Sequence, residues 1–184
     1  MVYPMTEKEL IRACQNNQRE AQFTLVRLFA PRLLAVCRRY VPDGLDAEDT
    51  LQDAFVQIFS HLDQYDPARG TLWKWLCRVA VNAALKKHRL TGRWHLDRAA
   101  LEDVPEIADL DHELNRLEAR AIEDLIRALP DGQRQVFNLV AVEGFSHQEC
   151  GELLGMATGT SRAYLARARQ QLQQQIIHME TQRL

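Results

Sequence analysis

Three arginines near the end of the sequence have a spacing and surroundings that suit binding to a polyanion. Arg162, Arg167 and Arg169 lie in a stretch that contains no carboxylate between Thr158 and Glu180. A guanidinium group binds phosphates and guanine edges through paired N–H donors. A helix that only faces solvent more often mixes Glu with Lys, because such pairs stabilise it. The stretch therefore favours contact with DNA.

The same stretch has the periodicity of a helix with one apolar face. Four residues that fall together at the helical period are predicted to face a core, namely Ser161, Leu165, Ala168 and Leu172. The opposite face carries two small residues, Ala163 and Ala166, between the arginines. Small side chains allow a helix backbone to enter a major groove deeply. This face is therefore predicted to lie in a groove of duplex DNA.

A shorter helix and a tight turn precede this arginine-bearing helix. Ser146 and Glu149 have the spacing of a capping box, and Gly155 is predicted to end the helix that they begin. Two helices joined by such a turn form a helix-turn-helix. A helical hairpin that only closes a core is the alternative. Further upstream, a helix is predicted over Leu114–Leu129, ended by Pro130.

A second basic surface is predicted on a helix formed by TLWKWLCRVAVNAALKKHRL, residues 71–90. Its predicted core side comprises Leu72, Trp75, Leu76, Val79 and Ala83. The other side carries basic and polar residues at nearly fourfold steps, namely Lys74, Arg78, Asn82, Lys86 and Arg89. Trp73 lies beside this stripe. Single-stranded nucleic acid needs cations for its phosphates and a flat ring for an unstacked base. A solvated basic face with tryptophans filling core gaps is the open alternative.

An acidic surface is predicted on the helix before it. In DAEDTLQDAFVQIFSHLDQYD, residues 46–66, the apolar residues recur at spacings of three and four and predict a core face: Leu51, Phe55, Ile58 and Leu62. Asp46, Asp49 and Asp53 fall on a different face. Carboxylates in a first turn also favour the positive end of the helix dipole, so capping and solubility explain them without a partner.

The composition narrows the fold class. The 184 residues carry a net charge of -2, and 46% of them are hydrophobic, which suits one or two globular domains rather than a disordered chain. Because Gly and Pro are few while Ala, Leu, Arg, Gln and Glu are abundant, an all-α fold is predicted. The two basic surfaces and the acidic one show that the near-neutral total hides strong local segregation of charge.

The chain is predicted to form two small helical domains, residues 1–92 and 114–184, joined by a flexible acidic linker over residues 93–113. Four scattered cysteines without a CxxC pair argue against a disulfide framework or zinc finger, so neither a metal nor a cofactor is expected. The sequence shows no signal peptide and no apolar segment long enough to span a bilayer, which predicts a cytoplasmic location without membrane insertion.

Two local features define the start of the N-terminal domain. Thr6 and Glu9 have the spacing of a capping box for a first helix. A second helical stretch is predicted over Arg19–Tyr40. Pro31 lies inside this stretch and is expected to kink or split it, because proline lacks the backbone donor of a helix interior.

Three segments in order resemble a known family. DAEDTLQDAF, then FSHLDQYDPARGTLWKWLCRVAVNAALKKHRL, then LPDGQRQVFNLVAVEGFSHQECGELLGMATGTSRAYLARARQQL are similar to regions two and four of bacterial sigma factors. The compact extracytoplasmic-function (ECF) group fits best, since only a short linker separates the two regions. The resemblance implies a factor that binds core RNA polymerase, directs it to promoters and helps to open the duplex. A protein inhibitor, an anti-sigma factor, is a further expected partner.

The resemblance also implies roles for individual residues. Five residues are expected to bind the polymerase, whose beta and beta-prime subunits form the core contact: Asp46, Glu48, Asp49, Gln52 and Asp53. Seven are expected to hold the opened minus-10 element, together with the Asp66 to Thr71 loop: Arg69, Trp73, Lys74, Arg78, Asn82, Lys86 and Arg89. Six are expected at the minus-35 element: Thr160, Arg162, Ala163, Ala166, Arg167 and Arg169.

The sequence departs from the family pattern at several positions. The family usually has Ser at the position of Ala157, as cap of the recognition helix, and Thr158 is expected to take over this role. It usually has Val at the position of Ser161 and a basic residue at that of Tyr164, so an altered reading surface is expected. Lys86, where relatives often have Asp, adds positive charge without threatening the assignment.

The residues alone leave two other functions open to comparison, a stand-alone regulator and an enzyme. A stand-alone helix-turn-helix regulator accounts for residues 144–169 but leaves the acidic helix and the basic stripe without a role. A catalytic reading starts from His147 and Cys150, spaced HxxC. Cys150 is predicted in the core and His147 at the surface, and no third orienting group is evident, so no enzymatic activity is predicted.

Overall fold

The computed structural model describes residues 5–41, 44–90 and 119–181, and within them every regular element is helical. The all-α prediction is therefore confirmed for this part of the chain. The chain divides into two compact units, Met1–Arg93 and Trp94–Leu184. The predicted linker, residues 93–113, lies outside the described residues. None of the helices that the structure describes combines the length and apolar character needed to cross a bilayer.

The first unit contains four α-helices: α1 (Glu7–Gln15), α2 (Arg19–Tyr40), α3 (Gly44–Ser60) and α4 (Leu72–Leu90). Two 3₁₀ turns, Leu62–Gln64 and Pro67–Arg69, connect α3 to α4. The predicted capping box begins α1, because the Glu9 amide donates to Thr6 Oγ1 at 3.3 Å and the Thr6 amide donates to the Glu9 carboxylate at 2.8 Å. These bonds satisfy two donors that a helix start otherwise leaves unpaired.

Helix α2 runs without interruption through Pro31. Of the two expected effects of Pro31, a kink or a split, the split is therefore wrong. Pro31 lies on the exposed side of the helix, so the backbone carbonyl one turn earlier, which loses its donor, lies on the side that faces water. Leu25 and Leu33, on the other side, are fully buried and keep the helix packed on both sides of the proline.

Helices α2, α3 and α4 pack against one another in all three pairings. As a result, α4 is covered on two faces and its buried surface is broader than predicted. Leu72, Leu76 and Ala83 are buried as expected, while Trp75 and Val79 are only half-buried. Five further residues that periodicity on one stripe did not identify belong to this core: Cys77, Ala80, Val81, Ala84 and Leu85.

The second unit contains α5 (Ala119–Arg127), α6 (Asp131–Phe137), a π-helical turn (Asn138–Val142), α7 (His147–Leu154) and α8 (Thr158–Thr181). Helix α8 contacts α5, α6 and α7 and forms the centre of the unit. Its core side chains include Leu172 and Ile176, which are fully buried. The helix predicted over Leu114–Leu129 is described only from Ala119, and it ends before Pro130 as expected.

Both ends of α7 have the predicted chemistry. Ser146 Oγ accepts from the Glu149 amide at 3.2 Å, and the Glu149 carboxylate accepts from the Ser146 amide at 2.9 Å. Gly155 ends α7 with a φ of 70°, a left-handed conformation that glycine adopts without a steric cost. Gly151, one turn earlier, faces the following backbone so closely that a Cβ would lie 2.6 Å from the Met156 carbonyl oxygen. The two glycines therefore allow the two helices to approach.

Candidate nucleic-acid interfaces and an acidic surface

The predicted orientation of α8 is correct. Ser161, Leu165, Ala168 and Leu172 are all buried. Arg162 is exposed. The remaining members of the predicted set are half-buried: Thr160, Ala163, Ala166, Arg167 and Arg169. We call these six residues the recognition face. It combines small side chains near the helix axis with guanidinium groups at its margins, which suits entry into a major groove.

Two positions where the sequence departs from the family pattern do not lie on this face. Tyr164 is 5% exposed and Ser161 is fully buried, so both belong to the core of the second unit. The expectation that they alter the reading surface is wrong. Residues three apart lie on the same side of a helix, so Tyr164 lies close to Ser161, at the edge of the buried face.

The start of α8 also differs from the expectation. The Ser161 amide donates to the Ala157 carbonyl at 3.1 Å, so Ala157 occupies the position that caps the helix, and Thr158 is the first residue inside it. Thr158 therefore does not take over the role of the usual serine. Alanine has no side-chain oxygen with which to accept from the amides of the first turn.

A buried hydroxyl connects the two helices of the turn. The Nδ1 atom of His147, at the start of α7, lies 2.9 Å from Ser161 Oγ, on α8. His147 is half-buried, so it reaches the surface as predicted but is also partly covered by the protein. Burial lowers its pKa, and the neighbouring charges of Arg162 and Arg169 lower it further. The neutral imidazole is therefore the favoured form in the folded protein.

Cys150 completes this cluster and is fully buried, as predicted. Burial raises the pKa of its thiol, although a hydrogen bond with Ser161 acts in the opposite direction. A nucleophilic or metal-binding cysteine requires the thiolate, which this environment disfavours. Among the residues with described positions, no group of three His, Cys, Asp or Glu side chains could hold a metal ion. The cluster therefore has the character of a structural contact between α7 and α8.

The predicted basic stripe lies on α4 and is joined by the loop before it. Lys74 and Arg78 are half-buried, and Asn82 and Lys86 are exposed. Arg89 belongs to α4, but its side chain lies outside the described residues. We call these five residues the α4 stripe. They occupy one side of the helix over four turns, a length that suits several phosphates of a single strand.

Arg69 is exposed at the end of the 3₁₀ turn that leads into α4. The loop that carries it is held by its own hydrogen bonds. Asp66 accepts from the Ala68 amide at 2.9 Å, and the Tyr65 hydroxyl donates to the Gly70 carbonyl at 3.2 Å. Tyr65 also contacts the ring of Trp75, with centroids 6.0 Å apart. The loop is thus anchored to α4 at the end where Trp73 lies.

Trp73 is half-buried beside the α4 stripe, and α2 supplies its neighbours. The Phe29 ring lies nearly parallel to it, with centroids 6.4 Å apart and planes inclined by 17°. The guanidinium carbon of Arg32 lies 3.9 Å from the centroid of the Trp73 ring. Sequence reasoning missed both α2 residues. Their spacing of three places them on one side of α2, which was a usable signal, but nothing in the sequence identified the ring that they meet.

The acidic surface on α3 is less uniform than its sequence suggests. Glu48, Asp49, Gln52 and Asp53 are exposed, while Asp46 is half-buried. Lys87 on α4 lies against its first turn, with Nζ at 2.8 Å from the Asp46 carboxylate and 3.7 Å from that of Asp49. Lys87 also donates to the Asp46 backbone carbonyl at 3.2 Å, and the hydrogen bond with Asp46 raises its pKa.

The five residues predicted to bind the polymerase therefore differ in whether they contact basic residues of the chain itself. Asp46 is held by Lys87, and Glu48 lies 3.9 Å from Arg38 in an exposed pair that contributes little to stability. Gln52 and Asp53, one turn further along, are exposed on the same helix. The part of the acidic surface that is most open to an external partner is therefore the third turn of α3, which carries Gln52 and Asp53, with Asp49 at its border.

Two family models match the chain, in the order of its two units. The model described as Sigma-70 region 2 matches residues 25–93, and the model described as Sigma-70, region 4 matches residues 119–172. The first match contains the acidic surface, the loop and the α4 stripe. The second contains the helix-turn-helix and the recognition face.

Individual proteins are similar over most of the chain. The ECF RNA polymerase sigma factor SigE of Mycolicibacterium smegmatis is 34% identical over 155 residues, which cover 80% of this chain and 58% of that protein. The ECF RNA polymerase sigma-E factor of Escherichia coli K12 is 28% identical, with 94% of this chain and 95% of the relative covered. A solved structure of CnrH in complex with the cytosolic domain of CnrY is similar at a TM-score of 0.56 and 25% identity, covering 92% of this chain and 96% of that one.

Proposed function

The chain belongs to the sigma-70 family, in its ECF group, and from this premise we propose that it binds core RNA polymerase, directs it to promoters and promotes DNA opening. The observation that carries the proposal is the presence of both family regions, in order, in one chain. A stand-alone helix-turn-helix regulator requires only the second region. It leaves the acidic surface and the α4 stripe without a role.

The acidic surface of α3 is the proposed contact with the polymerase. Gln52, Asp53 and Asp49 make the direct contacts, because they are exposed on adjacent turns. Asp46 acts within the chain instead, since Lys87 binds both its carboxylate and its carbonyl oxygen. This assignment narrows the five residues expected from the resemblance to three that face outward and one, Glu48, that stands at the margin beside Arg38.

The α4 stripe and the loop that carries Arg69 form the proposed site for the opened minus-10 strand. Cations along four helical turns bind the phosphates, and Trp73 offers an aromatic ring to an unstacked base. Unstacking a base costs a few kcal/mol, and this cost is offset where the base enters contacts that distinguish its identity. The same surface can therefore hold the open strand and recognise its sequence.

The recognition face of α8 forms the proposed contact with the minus-35 element. Arg162 and Arg167 are the residues with the best position to reach base edges, because they flank the small residues Ala163 and Ala166. Each bidentate pair with a guanine discriminates against the wrong base by about 1–3 kcal/mol. Ser161 and Tyr164 support this face from the core side and do not themselves contact DNA.

Two further features complete the proposal. The function requires no catalytic group of the chain, and it takes place in the cytoplasm, where the polymerase and the chromosome are. A protein inhibitor is a further proposed partner, as the family resemblance implies, and the similar protein CnrH does form a complex with another protein, the cytosolic domain of CnrY. Such an inhibitor acts by covering one or more of the three surfaces described above.

Run-off transcription tests the proposal directly. Purified chain is added to sigma-free core polymerase over a library of genomic promoter fragments, and the transcripts are sequenced. We expect initiation at a defined set of sites that share two upstream elements. Core polymerase without the chain is the control. Sequence-specific duplex binding by the chain alone, together with no initiation in the presence of core polymerase, would instead support the stand-alone regulator.

A further inference from the structure

The ring proposed to receive an unstacked base is already occupied in the DNA-free chain. The guanidinium of Arg32 lies over the ring of Trp73 at 3.9 Å, and Phe29 stacks beside it. A distance below 6 Å from cation to ring centroid is that of a cation–π contact. Arg32 comes from α2 and lies outside the seven residues expected to hold the minus-10 strand. It is nevertheless as close to Trp73 as a stacked base would be.

Arg32 has the chemistry to bind the same strand in a second way. Arg32 is exposed, and its guanidinium can bind a phosphate through paired N–H donors. At an exposed site, a cation–π contact is weaker than the stacking of a nucleic-acid base on an aromatic ring. A base can therefore displace Arg32 from the ring, and the displaced arginine remains beside the backbone of the strand that carries this base.

We propose that Arg32 is a single-strand-binding residue that leaves the Trp73 ring and binds a backbone phosphate when an unstacked base takes its place. The proposal rests on the proposed function, because it deepens the assignment of Trp73. In the free chain the arginine shields an aromatic surface that would otherwise face water. In the open complex the same side chain adds one cation to the α4 stripe from a different helix.

The first test measures the salt dependence of binding. Holoenzyme is bound to a fork-junction fragment of a promoter used in run-off transcription, with the non-template strand single-stranded from the minus-10 element. We expect Arg32→Ala to weaken binding and to reduce the slope of log affinity against log salt by about 0.7, the value for one phosphate of a single strand. Between about 50 and about 200 mM salt, the ratio of wild-type affinity to variant affinity should therefore fall about 2.5-fold.

Arg27→Ala is the matched control. Arg27 is exposed on the same helix, and its replacement removes the same charge at a position more than one turn away from Arg32. We expect this variant to retain the wild-type slope. An unchanged slope for Arg32→Ala, or an equal reduction for both variants, overturns the proposal, because the effect would then be absent or would reflect only total charge.

A double-mutant cycle tests the exchange itself. Trp73→Leu removes the aromatic face and keeps apolar volume against Phe29. If Arg32 must leave the ring to bind phosphate, the loss caused by Arg32→Ala is larger by about twofold in the Trp73→Leu background, where no ring contact has to be broken. If Arg32 stays on the ring in the complex, the loss becomes smaller instead, and the exchange is overturned.

The same samples separate this proposal from the proposed function. If the wild-type chain supports no initiation, the proposed function is wrong. If it initiates normally but the Arg32→Ala and Arg27→Ala variants behave alike, only the proposed role of Arg32 is wrong. Thermal unfolding of each variant, followed by circular dichroism, confirms that the compared proteins are folded at the temperature of the assay.

Discussion

The recognition face and the α4 stripe are both basic helical surfaces, but they are supported in opposite ways. Behind the recognition face, Ser161 is fully buried and contacts His147 on the neighbouring helix. Beside the α4 stripe, the aromatic ring of Trp73 is covered by the exposed side chain of Arg32, which comes from a different helix. The first support is a contact inside the core, and the second is a contact at the surface, which under our proposal is exchanged for a base.

This difference matches the two forms of DNA that the surfaces are proposed to bind. Duplex bases are read at fixed positions in a groove, so a helix that reads them has to be held rigidly by its core. A single strand is flexible, and its bases stack on aromatic rings with little dependence on sequence.

Loss of polymerase binding should prevent both the recognition face and the α4 stripe from acting in transcription. We expect Asp53→Lys to reduce co-purification with core polymerase by at least about tenfold, because a charge reversal in an interface adds repulsion to the lost contact. The Asp49→Lys change is less informative, since it would place a second cation beside Lys87. Glu123→Lys, an exposed reversal on α5, is the control. Normal co-purification of the Asp53 variant would remove α3 from the polymerase contact.

The rigidity of the recognition face should depend on Gly151. An added Cβ at this position would lie 2.6 Å from a backbone oxygen, so we expect Gly151→Ala to destabilise the second unit by about 3 kcal/mol. Gly159→Ala is the matched control, because no atom lies within 4 Å of its added Cβ and alanine is favoured in a helix. Urea unfolding of both variants measures the effect. Equal stability would mean that the turn relaxes freely.

Base reading by the recognition face should be specific to position. We expect Arg162→Ala and Arg167→Ala each to weaken minus-35 binding by about 1–3 kcal/mol at the base pairs that they contact. Holoenzyme affinity for promoters with single substitutions in the minus-35 element measures this discrimination. A uniform loss on all of these promoters would instead indicate phosphate contacts, which carry no sequence information.

The start of α8 offers a gain of stability. Ala157 occupies the cap position and lacks a side-chain acceptor, so we expect Ala157→Ser to stabilise the second unit by about 1 kcal/mol. Thermal unfolding compares this variant with Thr158→Ser, which changes the neighbouring position inside the helix. A gain from Thr158→Ser alone would show that the helix begins one residue later than the Ser161 amide bond indicates.

The contact between His147 and Ser161 should make the second unit sensitive to acid. The pKa of His147 is lowered in the folded protein, so below its usual value of about 6.5 the unfolded chain binds more protons. Stability should therefore be retained above this pH and decrease as the pH falls through it. His147→Gln should reduce this decrease, whereas His61→Gln, in the first unit, should not. Urea unfolding between pH 5 and pH 8 would show an identical pH dependence in all three proteins if the contact were unimportant.

Much of the fold follows from local patterns in the sequence. The capping boxes at Thr6 and Ser146, the turn at Gly155 and the buried face of α8 were all predicted, because each depends on residues within one or two helical turns. For α4, three of the five residues predicted to be buried are buried, and a second buried face was not predicted. Its second buried face depends on simultaneous contacts with α2 and α3, which the helical period does not specify.

Local patterns predict which helices form, which faces are apolar and where charge accumulates, since these properties depend on neighbours along the chain. They do not predict that Lys87 binds Asp46, that Ser161 contacts His147 or that Arg32 lies over Trp73. The residues of these pairs are separated by 41, 14 and 41 positions in the sequence. Such contacts depend on how helices dock, and docking is set by the packing of whole faces rather than by any local pattern.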